Sequence, residues 1–166
     1  MRYLRPLFPL AAVLAFLLCG CTAAASTEDI LTAMCGSQAF LPAGQIYRME
    51  ALSKEAQQDE AELLAVLYGG GELPAEFAVI NSFGIRLSSF AEPYEIAVFR
   101  CVSARDAYDV AQMCLRRIER LRISCRETEY APLADSARVS LCGKYVLMAI
   151  CDDPLSAIEA GRRTAR

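Results

Sequence analysis

Cysteines are the residues of this chain best suited to chemistry, because its 166 residues include eight of them and no histidine. Without histidine, a serine or cysteine nucleophile lacks its usual general base, and a zinc or haem site is not expected. Neither Lys54 nor Lys144 has a serine at the Ser-x-x-Lys spacing. The adjacent Asp152 and Asp153 would point apart, and Asp153 is better explained as a helix cap. The sequence therefore predicts a protein that is not an enzyme, with no cofactor and no metal.

Six cysteines follow residue 21. Their even number would suit a set of disulfides in a chain that is exported, which the N-terminal residues described below predict. Cys114 and Cys125 cannot pair, because eleven helical residues separate them by about 16 Å, beyond the ~7 Å limit between bridged Cα atoms. Cys142 and Cys151 lie at opposite ends of a predicted hairpin arm. The favoured interpretation is that the cysteines are small core residues. The six are Cys35, Cys101, Cys114, Cys125, Cys142 and Cys151.

One cysteine is also a candidate reactive thiol. Such a thiol needs a lowered pKa, at a helix start or beside a cation. Cys101 comes closest, because Ser103 opens a predicted helix and Arg100 and Arg105 are near in sequence. The alternative function that follows is a thiol-based redox protein or sensor.

Arginines crowd the second half of the longest predicted helix, with only Glu119 and Glu127 among them. One interpretation is a cationic face for an anionic partner, such as lipid head groups, an envelope protein or an envelope polymer. The other is a solvated face favoured by the dipole at the helix C-terminus. The residues are Arg116, Arg117, Arg120, Arg122 and Arg126.

The N-terminal residues have the pattern of an export signal. Arg2 and Arg5 precede an apolar run over residues 7–18, interrupted only by proline. Twelve residues are too few for a membrane span, which needs about 20, but they suit a secretory signal peptide. A plain cleaved signal and an uncleaved anchor are the alternatives to the lipidated one described next.

The run ends in Leu18-Cys19-Gly20-Cys21, which resembles the lipobox of bacterial lipoproteins. In that pattern an aliphatic residue lies three positions before the modified cysteine and a small residue directly before it. Cys21 fits both conditions, whereas Cys19 follows a leucine. The resemblance implies cleavage after Gly20 and lipid on Cys21, including an N-acyl chain such as palmitate. Two or more chains anchor a protein stably, here on the extracytoplasmic face of the cell membrane.

Composition limits the rest of the chain to one ordinary domain. Residues 1–20 hold two of the 17 basic residues and none of the 20 acidic ones, so residues 21–166 carry a net charge of −5. A mildly acidic domain is not a general nucleic-acid binder. We divide the chain into a signal peptide (1–20), a lipidated tether (21–26), a single domain (27–160) and a frayed basic tail (161–166).

Capping and hydrophobic spacing predict the elements. Ser26 with Asp29, and Ser103 with Asp106, open helices as capping boxes, and Asp153 followed by Pro154 opens the last one. The first helix ends near residue 36, the second covers 53–68, and 37–51 stays unassigned. Strands are expected at 77–82, 94–102, 139–142 and 145–151, with a turn at 131–132. Gly143 and Lys144 fit a type II′ hairpin.

Together these elements predict an α+β fold. Two helices precede the order β-β-α-β-β-α, and the simplest arrangement is a small antiparallel sheet covered by helices. Strand 94–102 has two mostly apolar faces, which predicts a central position. A three-four stripe from Ala107 to Cys125 predicts that the long helix packs on the sheet.

A family resemblance rests on four features of this domain: Glu95-Ile96-Ala97-Val98-Phe99-Arg100, a long helix with Arg117, Tyr130-x-Pro132, and Gly143-x-Tyr145-Val146. In combination they resemble a family of bacterial lipoproteins known only as a domain of unknown function. The resemblance covers roughly residues 27–160 and implies location and fold, without an activity. The sequence thus predicts a non-enzymatic, membrane-tethered interaction or ligand-binding module of the cell envelope.

Overall fold

A five-stranded antiparallel sheet lies between two layers of helix. The computed structural model describes residues 24–49, 61–88 and 92–166. The predicted signal peptide, Cys21 and the predicted start of the second helix at residue 53 lie outside these segments. The strands are β1 (Gln45–Arg48), β2 (Ile80–Leu87), β3 (Glu95–Cys101), β4 (Arg138–Cys142) and β5 (Tyr145–Ile150), in the order β1-β2-β3-β5-β4. The α+β class and the antiparallel sheet are as predicted.

The helices divide between the two faces of the sheet. They are α1 (Thr27–Gly36), α2 (Ala104–Cys125), α3 (Ala131–Ser136) and α4 (Pro154–Thr164). Helix α2 covers one face through the predicted stripe, all of whose residues are buried. Helices α1 and α4 cover the other face, where Ile30 and Met34 pack on Val98 and Leu147.

Strand β3 is the middle strand of the sheet. Both of its faces meet a helical layer. Ala97, Phe99 and Cys101 face α2, while Ile96 and Val98 face α1 and α4. All five side chains are at most 1% exposed. This alternation confirms the prediction of a strand covered on both sides.

The predicted helix caps and hairpin turn are confirmed. Ser26, Ser103 and Asp153 each accept a hydrogen bond from the backbone N–H three residues on. Gly143 has a φ of 58° and no non-glycine residue in the described segments has a positive φ. That combination fits a type II′ turn, in which only the first central residue requires the left-handed region.

The order of elements differs from the prediction in two places. Strand β1 lies between the two N-terminal helices and pairs with β2, in a stretch that was predicted as unassigned. Its four residues are exposed or only half-buried, so they lack the alternating pattern of a buried strand. Helix α3 replaces the turn expected at 131–132, because Pro132 occupies its first turn, where proline is tolerated.

Some boundaries also differ. Residues 77–79 belong to a 3₁₀ helix (Ala75–Val79) that follows Pro74, and β2 continues to Leu87 rather than ending at 82. Gly84 lets β2 pass close to α1, since a Cβ there would lie 3.1 Å from the Leu31 side chain. Val102, predicted to end the next strand, lies beyond β3 and is exposed.

The two ends of the domain are more closely attached than predicted. Helix α4 runs to Thr164, beyond the expected end at residue 160, so residues 161–164 are helical. Gly161 allows this by packing on Met34 and Leu147, within 3.0 Å of where its Cβ would lie. At the N-terminus, Tyr145 Oη donates a hydrogen bond to the carbonyl of Ala25 (2.5 Å). Residues 25 and 26 therefore belong to the domain rather than to the tether.

Candidate functional site

A cavity of about 360 Å³ opens between the C-terminal half of α2, the helical segment 61–69 and the ends of β1, β2 and β3. We call it the α2 pocket. Its size lies within the range of about 300–1,000 Å³ that is usual for small-molecule sites. Most of its lining is apolar, with two arginines from α2. The lining residues are Tyr47, Leu63, Val66, Leu67, Leu87, Ser88, Glu92, Pro93, Tyr94, Arg117, Arg120, Leu121 and Ser124.

A buried ion pair fixes one of these arginines. Glu95, at the start of β3, is 1% exposed. Its Oε2 accepts a hydrogen bond from Arg117 Nε (3.1 Å) and lies 3.1 Å from Arg117 Nη2. Its Oε1 accepts a hydrogen bond from Tyr68 Oη. Burial and the charge of Glu95 raise the pKa of Tyr68 well above its usual value, so the phenol stays a neutral donor.

The second arginine, Arg120, has no carboxylate partner in the described segments. Its Nη2 donates a hydrogen bond to the carbonyl of Leu67 (2.8 Å). Burial, followed by repulsion from Arg117 and Arg116, lowers the pKa of the Arg120 guanidinium. Glu76 pairs with Arg116 and Glu95 pairs with Arg117. Of these three arginines, Arg120 is therefore the one without an ion pair in the described segments.

Local backbone geometry makes the Leu67 carbonyl available to Arg120. Segment Ala65–Gly69 is π-helical and ends at Gly70, whose φ of 74° suits glycine. The Gly71 N–H closes the end by bonding the Ala65 carbonyl (3.0 Å). Carbonyls in the last turn of a helix have no partner within the helix, so Leu67 can accept a side-chain donor. The helix was predicted to end at residue 68 and ends at Gly69. Single π-turns recur at functional sites.

Tyr94 and Glu92 are also part of the pocket lining. Tyr94 Oη donates a hydrogen bond to Asp152 Oδ1 (3.0 Å), and burial followed by that bond raises the pKa of Tyr94 to about 12. Glu92 acts electrostatically on Tyr94 and Tyr130 and is not among the groups that shift Arg120. The tyrosine thus adds an uncharged wall, and Glu92 adds a negative charge to the same lining.

The five arginines of the predicted cationic face do not share one side of α2. At 100° per residue, Arg116, Arg117 and Arg120 fall on one side, while Arg122 and Arg126 fall on the other. Arg122 pairs with Glu119 (3.5 Å) and Asp135 (3.8 Å), whereas Arg126 is exposed with no ion pair in the described segments. The structure therefore brings together only Arg116, Arg117 and Arg120.

The cysteines are free thiols in the described chain, and four of the six are buried. The exceptions, Cys35 and Cys142, are half-buried. Burial, followed by the negative charge of Asp106, raises the pKa of Cys101 to about 11. A reactive thiol needs a lowered pKa, so the environment of Cys101 opposes the role considered for it, and Arg100 and Arg105 do not offset burial.

Sequence reasoning missed Glu95, Tyr68 and the pocket itself. A usable signal was present, because Glu95 precedes four apolar residues of its strand and alternates with them so that it shares a face with Ala97 and Phe99. Strand alternation therefore turns Glu95 toward the long helix. A buried acid needs a partner, and Arg117 is a candidate on that helix.

No helix in the described segments is both long and apolar enough to cross a membrane. Comparison of the chain with family models, with curated proteins and with solved structures gives no match.

Proposed function

We propose that this chain is a non-enzymatic lipoprotein of the bacterial cell envelope whose domain binds a small ligand in the α2 pocket. The anchor is lipid on Cys21, at the outer face of the cell membrane. We also propose that the chain is a member of the lipoprotein family of unknown function that it resembles. The pocket, with one arginine held by a buried carboxylate, is the observation that carries the binding role.

Support for the anchor comes from the N-terminal residues. Two arginines, a short apolar run and Leu18-Cys19-Gly20-Cys21 occur in the order that lipoprotein signals require. The lipid would supply the membrane attachment, so the domain itself needs no spanning segment.

Support for a binding role comes from the contrast between the pocket walls and its arginines. Leu63, Val66, Leu87 and Tyr47 line one volume together with Arg117 and Arg120. Apolar walls with a few fixed polar groups are typical of ligand sites. Binding without chemistry is favoured because the chain contains no histidine and the thiol of Cys101 has a raised pKa.

The anchor is tested by the intact mass of the protein taken from its native membrane, after alkylation under denaturing conditions without reduction. We expect cleavage before Cys21, a lipid adduct, and alkylation of all six other cysteines. Cys21→Ser should remove the adduct and release the protein from the membrane fraction. Retention of residues 1–20 without lipid would overturn the anchor, and alkylation that requires reduction would favour the redox alternative.

The binding role is tested with N-phenyl-1-naphthylamine, an uncharged probe whose fluorescence rises in apolar sites. The purified domain should bind it saturably, because the α2 pocket is apolar and about 360 Å³ in volume. Val66→Trp should abolish binding by filling the pocket from a side chain that is 54% exposed. Leu155→Trp, at an exposed position on α4, is the matched control and should bind normally. Equal binding by both variants would contradict a site in this pocket.

A further inference from the structure

Of the three arginines that α2 brings together, Arg120 is the one without a carboxylate ion pair in the described chain. Arg116 and Arg117 each face a carboxylate, from Glu76 and Glu95 respectively. Arg120 faces only the carbonyl of Leu67 in the described chain. A backbone carbonyl replaces only part of the hydration that a partly buried guanidinium group loses. A negatively charged group of a ligand would supply the ion pair that Arg120 lacks.

Two guanidinium groups are placed to share such a ligand. Arg117 and Arg120 are three residues apart on α2, so their side chains are neighbours on the helix surface. Glu95 engages Nε and Nη2 of Arg117. The hydrogen bonds of Arg117 within the described chain go to Glu95 alone, which leaves other N–H donors of the fork for a ligand. Glu95 is thus a positioning residue, because it holds Arg117 at the pocket without occupying it.

The remainder of the pocket favours an apolar body. Leu63, Val66 and Leu87 line it from two different elements, and Tyr94 adds a ring whose hydroxyl is engaged by Asp152. The charge of Glu92, in the same lining, would oppose a second negative group. These features favour a monoanion with an apolar chain over a multiply charged, fully polar anion.

We propose that the α2 pocket binds a small amphiphilic monocarboxylate, with its carboxylate on Arg117 and Arg120 and its apolar chain against Leu63, Val66 and Leu87. The planar carboxylate matches the fork of a guanidinium group, which gives short, charge-assisted hydrogen bonds. This inference rests on the proposed function, since it names the chemistry of the ligand for the same pocket.

The test is calorimetric titration of the purified domain with three probes that share one chain: octanoate, 1-octanol and octylammonium. Octanoate should bind at least ten-fold more tightly than the other two, because only its head group can pair with guanidinium. Arg120→Gln should weaken octanoate binding about ten-fold or more, and Arg120→Lys should weaken it less because it keeps the charge. Arg126→Gln removes the same charge from an exposed position directly after α2 and should leave binding unchanged.

The outcomes separate the ligand class from the binding role. Equal affinity for the three probes, or no effect of Arg120→Gln in a variant with unchanged thermal stability, would overturn the monocarboxylate while the pocket still binds ligand. Failure of all three probes, with N-phenyl-1-naphthylamine still bound, would overturn the monocarboxylate alone. Failure of N-phenyl-1-naphthylamine as well would overturn the proposed function.

Discussion

Glu95→Gln is expected to lower the free energy of unfolding by about 3 kcal/mol, the lower end of the cost of breaking a buried ion pair. The Glu95 side chain is fully buried and that of Arg117 is 13% exposed. Glutamine keeps an acceptor for Tyr68 Oη but leaves the Arg117 charge without a partner. Chemical denaturation, monitored by far-ultraviolet circular dichroism, measures the change.

A double-mutant cycle shows whether the loss belongs to the pair. Arg117→Gln should also be strongly destabilising, because it leaves a buried carboxylate with Tyr68 as its remaining partner, whereas the double variant should recover part of the loss. Glu28→Gln is the control, since Glu28 and Arg48 form an ion pair (2.7 Å) with side chains 59% and 37% exposed. Its expected cost is below about 1 kcal/mol. A cost at Glu95 no larger than at Glu28 would refute a structural role for the buried pair.

Phe99→Ala is expected to cost about 3–5 kcal/mol of unfolding free energy, as large-to-small changes of buried aromatic residues do. Phe99 is fully buried on β3. Its ring contacts Tyr68 edge to face at a centroid distance of 5.6 Å, and Phe77 at 6.3 Å. Truncation would leave a cavity between the sheet and the segment that forms one wall of the α2 pocket. Thermal and chemical unfolding measure the loss.

The matched control is Phe40→Ala, because Phe40 is 60% exposed. Its one ring contact among the described residues is with Tyr94, at a centroid distance of 6.4 Å. Such a pair contributes about 0.5–1.5 kcal/mol, so the control should cost about 1 kcal/mol. Comparable losses at the two positions would mean that the aromatic cluster around Phe99 is not a main part of the core.

Elements whose signals are local were predictable from the sequence. Ser103 could be assigned as a helix cap because its hydroxyl accepts a hydrogen bond from the backbone N–H three residues on, which requires no contact with the rest of the fold. The buried stripe of α2 follows from helical periodicity alone. The hairpin followed from Gly143, since one left-handed residue is sufficient for a type II′ turn.

Elements that depend on distant partners were missed or misplaced. Strand β1 forms because it pairs with the edge of β2. Its own residues do not alternate between buried and exposed positions. Helix α4 continues past residue 160 because Gly161 meets Met34, a contact between residues at opposite ends of the chain. Periodicity within one window contains no information on either partner.

The candidate site was predictable only in part. The arginine cluster on α2 was recognised, but which of its members face a pocket depends on where the segment 61–69 packs. Arg120 and Arg126 look equivalent in sequence, yet only Arg120 meets the Leu67 carbonyl. For Cys101, the cations near in sequence suggested a reactive thiol, whereas burial, which the sequence does not show directly, raises its pKa to about 11.

Under the proposed anchor, the hydrogen bond from Tyr145 to Ala25 also limits the distance between the domain and the bilayer. With lipid on Cys21, four residue steps of at most about 3.6 Å each separate the anchor from this fastened point, or about 14 Å. Ala25 packs with the α1 and α4 layer, so under the proposed anchor that layer would be the one nearest the lipid. The α2 layer lies across the sheet from it. The pocket would therefore sample solutes of the envelope rather than molecules leaving the bilayer directly beneath the domain.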